Sequence, residues 1–291
     1  MRKTAGYGAI AAALLALIAF AGCDDDNVTE VVHVYHTVPP VPVGVFTVTG
    51  DRSVQVYWEP ARGVGDVTYG VYRSTEPLGD YYLVGTVVGA ENTYFFDNDV
   101  ELENGVTYFY AVDASNQYGE SDLSYEEVAD TPRPQGVGLR LYWDGYDPES
   151  AGLDFSEIQR GGDAGDMVVA WDDDLCDVYL IVVDDLFRLV PAFVEEEGET
   201  YPNDIQDFGY TYDFDEISFA PLEGWSLDPY GVELIEGHTY VIWTWDDHFA
   251  KLRVVSIGEN HVVLEWAYQI SNDDIERRQL APNFDRLFRK S

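Results

Sequence analysis

Apolar and polar positions alternate with a period of two through most of the chain, and the runs are short. Val54, Val56 and Trp58 alternate with polar neighbours, which predicts a half-buried strand with those three side chains inward. Tyr69–Ser74 and a run through 104–114 read as further strands of the same segment. The Thr131-Pro132-Arg133-Pro134 stretch closes it, because proline cannot donate to a strand ladder. A second set of runs follows: 138–143, 167–171, 178–183, 240–245, 250–257 and 261–269. The last two are separated by Gly258-Glu259-Asn260, the spacing of a hairpin with a short glycine-containing loop. No segment holds a long 3.6-residue apolar period. Residues 186–194 are expected to form one short helix, stopped at Pro191. The expected fold class is all-β, with one β-sandwich over 43–132 and a second β-sandwich or partly closed β-barrel over 137–270.

The first segment resembles a fibronectin type III domain along its whole length. Trp58 takes the place of that family's core tryptophan on the second strand, and Tyr69–Ser74 that of its third strand. The Asn104-Gly105 turn and the run to Ala114 match its sixth strand, with Tyr108 at the tyrosine-corner position. Asn116-Gln117-Tyr118-Gly119-Glu120-Ser121 matches the turn into its last strand. The resemblance implies a seven-stranded sandwich used as a spacer or binding module. In the second segment, Gly237-His238-Thr239-Tyr240-Val241 and the stretch from His248 to Val254 look like the C-terminal part of uncharacterised bacterial envelope lipoproteins.

The N-terminus changes the setting. Arg2 and Lys3 precede an apolar stretch from Ile10 to Phe20, and Ala21-Gly22-Cys23 follows. This resembles a bacterial lipoprotein signal peptide over 1–22, a resemblance that implies cleavage before Cys23 and acylation of its sulfur. Two or more acyl chains anchor a protein stably to a membrane. The expected location is the cell envelope, on the extracytoplasmic side of a membrane. Residues 23–42 then read as a lipidated cysteine and a stiff tether, ending in Val38-Pro39-Pro40-Val41-Pro42. With Cys23 acylated, Cys176 has no disulfide partner and is expected to be a buried structural thiol.

Charge narrows the partners. The 291 residues carry 54 acidic and 16 basic side chains, a net charge of −38. Phosphate neutralisation needs a basic face, so nucleic acid is not an expected partner, and electrostatic docking to anionic lipid is equally disfavoured. The expected partners are the membrane through Cys23 and a protein or glycan of unknown identity. Five of the basic residues, Arg277, Arg278, Arg286, Arg289 and Lys290, fall in the 271–291 tail.

Candidate chemistry is sparse. No Gly-x-Ser-x-Gly elbow, His-Glu-x-x-His helix or phosphate loop occurs, so no catalytic, cofactor-binding or metal-ligating residue is assigned and the chain is not expected to be an enzyme. Carboxylates adjoin at Asp172-Asp173-Asp174, Asp184-Asp185, Asp213–Glu216 and Asp246-Asp247-His248, none of them distinguished from the rest. Asp97-Asn98-Asp99 and Asp172-Asp173-Asp174 are candidate loops for a structural calcium ion. His238, His248, His261 and Met167 are the residue types that could ligate haem in the second segment. Trp243 and Trp245 lie two apart and, on one strand, would share a face that could stack a sugar. A carbohydrate-active enzyme, or its carbohydrate-binding accessory protein, is the alternative function.

Overall fold

A computed structural model describes residues 37–270, apart from 126–127, 197, 218–219, 222 and 227. Cys23, the leader, His33, His36 and the basic tail lie outside the described residues. The fold is nearly all β, built of several antiparallel sheets, none of them closed into a barrel. No described helix is long and apolar enough to cross a membrane. Contacts sort the chain into two units. One contains 55–97 and 108–129 with the chain up to 47; the other contains the chain from 130 onward together with 48–54 and 98–107.

The N-terminal strands are β1 (Phe46–Gly50), β2 (Ser53–Tyr57), β3 (Thr68–Ser74), β4 (Tyr82–Val88), β5 (Tyr94–Asp97), β6 (Tyr108–Asn116), β7 (Gly119–Glu120) and β8 (Val128–Asp130). They form a three-stranded sheet, β1-β2-β5, and a sheet ordered β4-β3-β6-β7, with β8 also on β6. The alternation read from the sequence sets the inward face: Val54, Val56 and Trp58 are all buried. Trp58 meets the ring of Tyr69 edge-on at 5.1 Å, which ties the end of β2 to β3 in the other sheet. Gly85 lets Phe95 cross between the sheets, because a Cβ there would lie 2.2 Å from the Phe95 ring. The proline-rich stretch is not loose where it is described. Pro39, Pro42 and Val45 are buried. Asn116 Nδ2 donates to the carbonyl of Thr37.

The C-terminal strands are β9 (Gln135–Tyr142), β10 (Gly152–Leu153), β11 (Val168–Val169), β12 (Val178–Val183), β13 (Leu186–Pro191), β14 (Phe193–Glu196), β15 (Glu199–Pro202), β16 (Asp204–Tyr210), β17 (Val232–Glu233), β18 (His238–Trp243), β19 (Phe249–Ile257) and β20 (His261–Tyr268). One helical turn, α1 (Ser156–Gln159), follows β10. Two five-stranded sheets result, β16-β18-β19-β20-β9 and β11-β10-β12-β13-β17, besides the β14-β15 hairpin. Leu139, Leu141, Leu252, Val254, Leu264 and Tyr268 from the first meet Leu153, Val178, Leu180 and Leu189 from the second in one core. This is a sandwich rather than a barrel. The expected hairpin at Gly258-Glu259-Asn260 joins β19 to β20.

The short helix expected over 186–194 is instead β13 and the start of β14. Val183 pairs with Leu186 across Asp184-Asp185, and both aspartates have positive φ (52° and 64°). A two-residue loop of that conformation matches strand twist and forces a hairpin. The apolar run carries no alternation because it is buried from both sides along part of its length, with Leu189 and Val190 next to each other in the interior. Periodicity alone cannot separate such a strand from a buried helical turn.

Candidate functional site

The chemically richest place in the molecule is inside the C-terminal sandwich, where β10, α1, β12, the β18–β19 turn and β20 converge. β10 can approach β12 closely because its first residue is glycine. A Cβ on Gly152 would lie 2.7 Å from Cys176 Sγ and 2.6 Å from the Ala170 carbonyl. The strand then delivers Asp154 into the interior, and β12 is preceded by Asp177, also in the interior; they are 2 % and 1 % exposed.

Asp154 is well supplied. Its Oδ1 accepts from the Ser156 amide at 2.9 Å and from the Ser156 hydroxyl, and Arg160 reaches its Oδ2 at 3.2 Å. Arg160 is shared with Glu157. Asp177 is not well supplied. Its Oδ2 accepts from the Phe155 amide at 2.8 Å, and its Oδ1 is buried with no hydrogen-bond partner. Asp246 receives the Thr244 hydroxyl, and its Oδ2 lies 3.2 Å from His248 Nδ1 and 3.5 Å from the Tyr268 hydroxyl. His248 Nε2 is 3.1 Å from Gln159 Nε2, so α1 closes over the imidazole. An imidazole protonated at Nδ1, facing Asp246, can accept a Gln159 amide proton at Nε2. Tyr268 stacks between Phe155 (5.8 Å) and His248 (5.6 Å).

Three carboxyl groups thus share one low-dielectric region. Burial pushes the Asp177 carboxyl well above the ordinary carboxylate range, and the negative charges of Asp154 and Asp246 add to that; the Phe155 amide opposes it. Asp154 is raised by burial too, against the opposing pull of Ser156 and Arg160. For Asp246, burial is the largest single influence and raises it, but His248 and Thr244 together outweigh burial and hold it below its usual value. Burial, with Asp177 alongside, also lifts the Cys176 thiol far from the thiolate, so Cys176 is inert as a nucleophile. Its Sγ donates to the Val178 carbonyl.

Asp246 and His248, both singled out in the sequence, belong to this cluster; the other candidates go elsewhere. Asp97 is no calcium ligand: its carboxylate, 2 % exposed, takes Arg73 at 2.8 Å and the Tyr110 hydroxyl at 2.9 Å. Asp99 accepts from the Glu101 amide, and Asp173 from that of Leu175, as ordinary turn residues. Among the described residues, no three His, Cys, Asp or Glu side chains are placed to hold a metal ion. Met167 is in the apolar core, His238 pairs with Asp207 at 3.0 Å, and His261 packs on Tyr142; none converges on a haem-sized space.

Trp243 and Trp245 do not share a strand face, and Trp243 lies in the core. Trp243 ends β18 buried against Trp225 (5.8 Å) and Phe249 (5.7 Å), while Trp245 lies beyond the strand and meets Tyr201. Exposed aromatics occur instead on the outer face of β1-β2-β5. Phe46 stacks on Tyr57 at 4.9 Å and 10°, and Tyr57 meets Tyr94 at 5.0 Å. The first pair is parallel and the second tilted by 41°, a cross-strand aromatic ladder.

No protein-family model and no curated protein matches the chain. Among solved structures it is similar to FN3tt, with 20% identity and a TM-score of 0.27 over 33% of this chain and 96% of that one. It is similar to an Fn3-like protein from Clostridium thermocellum, with 24% identity and a TM-score of 0.26 over 34% of this chain and 97% of that one. A DUF4466 family protein from Parabacteroides merdae matches 74% of this chain and 90% of its own, at 9% identity and a TM-score of 0.38. The two fibronectin type III-like structures each cover about a third of this chain and nearly all of themselves.

Sequence reasoning missed Asp154 and Asp177 because it looked for carboxylates that are neighbours in the chain. A usable signal was present: each is a single charge set into an apolar run, Leu153-Asp154-Phe155 and Cys176-Asp177-Val178. A carboxylate at an inward strand position is either paired or protonated.

Proposed function

We propose that the chain is a cell-envelope lipoprotein, lipidated at Cys23 and held on the extracytoplasmic side of a membrane. Its N-terminal fibronectin type III-like sandwich acts as a spacer, and its C-terminal sandwich is a non-catalytic binding or structural module. The observation that carries the non-catalytic reading is the placement of the reactive side chains. Asp154, Asp177, His248 and Tyr268 are each at most 4 % exposed. A general acid or base must come within hydrogen-bond reach of its substrate, and these groups face one another inside the core. The burial of Trp243 and Trp266 works against a sugar-stacking face in this sandwich. The anchoring half of the proposal rests on the leader-like stretch and the Ala21-Gly22-Cys23 junction.

Cys23→Ser tests the anchor. The unaltered protein should partition into the detergent phase after cloud-point separation, and the variant should move to the aqueous phase or accumulate unprocessed. A processed Cys23→Ser protein that still follows detergent would sink the proposal and favour a retained apolar helix.

A further inference from the structure

We propose that the C-terminal sandwich is a proton-binding module: its core holds one proton on Asp177, and loss of that proton opens the contact between Asp177 and the start of α1 at Phe155. The argument starts from supply and demand of hydrogen bonds. Asp177 is 1 % exposed, and of its two oxygens only Oδ2 has a donor, the Phe155 amide. Oδ1 is enclosed and has none. A carboxylate anion in such a place has one amide for a full negative charge, whereas a carboxylic acid has one proton to place and far less charge to solvate.

The surroundings give no rescue. The groups that bear on Asp177 are Asp154 after β10, Arg160 after α1 and Asp246 in the β18–β19 turn. Tyr268 on β20 feels its charge, as does Cys176 beside it. Arg160 is the cation of the set, and it is divided between Asp154 and Glu157. His248 is turned to Asp246 and Gln159. Three carboxyls therefore face one guanidinium that is already committed, and the one with an oxygen left unpaired carries the proton. The raised position of Asp177 has this same origin.

Linkage fixes the sign. A carboxyl raised in the folded state holds its proton where the unfolded chain, with an ordinary value of about 4, has lost it. The stabilisation is full below pH 4 and is lost as pH rises towards the folded value. Asp246 works in the opposite sense: held below its usual value, it supplies stability that is lost as pH falls through that lowered value. The module is thus tightest in mildly acidic solution and loosens on the alkaline side. On an extracytoplasmic face, where the protein meets the pH of its surroundings, that makes the sandwich responsive to the medium; this last clause alone rests on the proposed location.

Hydrogen-exchange mass spectrometry of the full chain, corrected for the intrinsic pH dependence of exchange, tests the proposal at the amides of Asp154–Ser156 and Asp177–Val178. In the unaltered protein the opening constant should rise with pH above about 4, the ordinary carboxylate value, by up to tenfold per pH unit for one proton. Asp177→Asn, a neutral group of the same shape, should leave opening nearly independent of pH. Equal slopes in both proteins, or no slope in the unaltered one, would overturn the proposal. Should Asp177→Asn not fold, the unaltered protein decides: an infrared carbonyl band of a protonated carboxyl that persists above the ordinary carboxylate range supports the proposal, and loss of every such band within that range contradicts it.

Discussion

Both sandwiches bury aspartates, and they do so by different means. In the N-terminal one, Asp97 receives Arg73 and the Tyr110 hydroxyl, and Asp113 receives the Gly70 amide at 3.1 Å and the Tyr72 hydroxyl at 2.8 Å, one on each oxygen. These donors come from strands that the fold already places alongside, so the anion is solvated by the protein. In the C-terminal sandwich, Asp177 has a single amide and three charged neighbours, two of them anionic. There the charge is removed rather than solvated. A buried carboxylate supplied with donors by its neighbouring strands behaves as a structural rivet. One with an oxygen left unpaired makes its sandwich depend on a proton, which is why the same residue type reads as architecture in one half and as a responsive element in the other.

The contrast is broken most forcefully at Arg73, whose side chain and that of Asp97 are 11% and 3% exposed. Arg73→Met should keep the apolar packing but withdraw the cation from a buried carboxylate. The loss should be about 3–5 kcal/mol, the usual cost of leaving one partner of a buried pair. Urea denaturation followed through the N-terminal strands checks it; a loss under about 1 kcal/mol would show that the Tyr110 hydroxyl suffices.

A smaller effect should be equal in the two halves, which sharpens the comparison by isolating charge as its cause. Tyr69 accepts from the Ala61 amide and donates to the Ala90 carbonyl. Tyr240 accepts from the Ile235 amide and donates to the Glu233 carbonyl. Each buried hydroxyl fastens a loop to a core strand. Tyr69→Phe and Tyr240→Phe should each cost about 1–3 kcal/mol, because each leaves a backbone donor unpaired. Denaturation midpoints of the two variants at one pH make the test, and neither should alter the slope of stability with pH.

The smallest expected effect is on the acid side. Asp246→Asn should flatten the decline of the C-terminal sandwich below about pH 4, since the group held low by His248 and Thr244 is then gone. Melting curves between pH 2.5 and 5 show it; an unchanged acid limb would assign the decline to other carboxylates.

What the chain announces about itself follows the same division. Strands with one wet face declare their inward side by alternation, as Val54, Val56 and Trp58 do, and those elements stand where they were expected. Strands buried on both sides, such as β13, lose the alternation and with it their signature. Of the carboxylates adjacent in sequence, Asp184-Asp185 make the β12–β13 loop and Asp213 accepts from the Asp215 amide, while Asp246 enters the buried site. The carboxyls that share a site, Asp154, Asp177 and Asp246, come from three separate parts of the chain. Their meeting depends on the order of strands within the C-terminal sheets, which no local pattern encodes. Trp243 and Trp245 fail as a pair for a related reason: β18 ends between them.

Whether the protein is lipid-anchored is decided by the intact mass of the membrane-extracted chain. The expected species is a polypeptide beginning at Cys23 and heavier than its sequence by a diacylglycerol group, with or without a further acyl chain. A mass equal to the full sequence from Met1, or to a cleaved chain without lipid, would rule the anchor out.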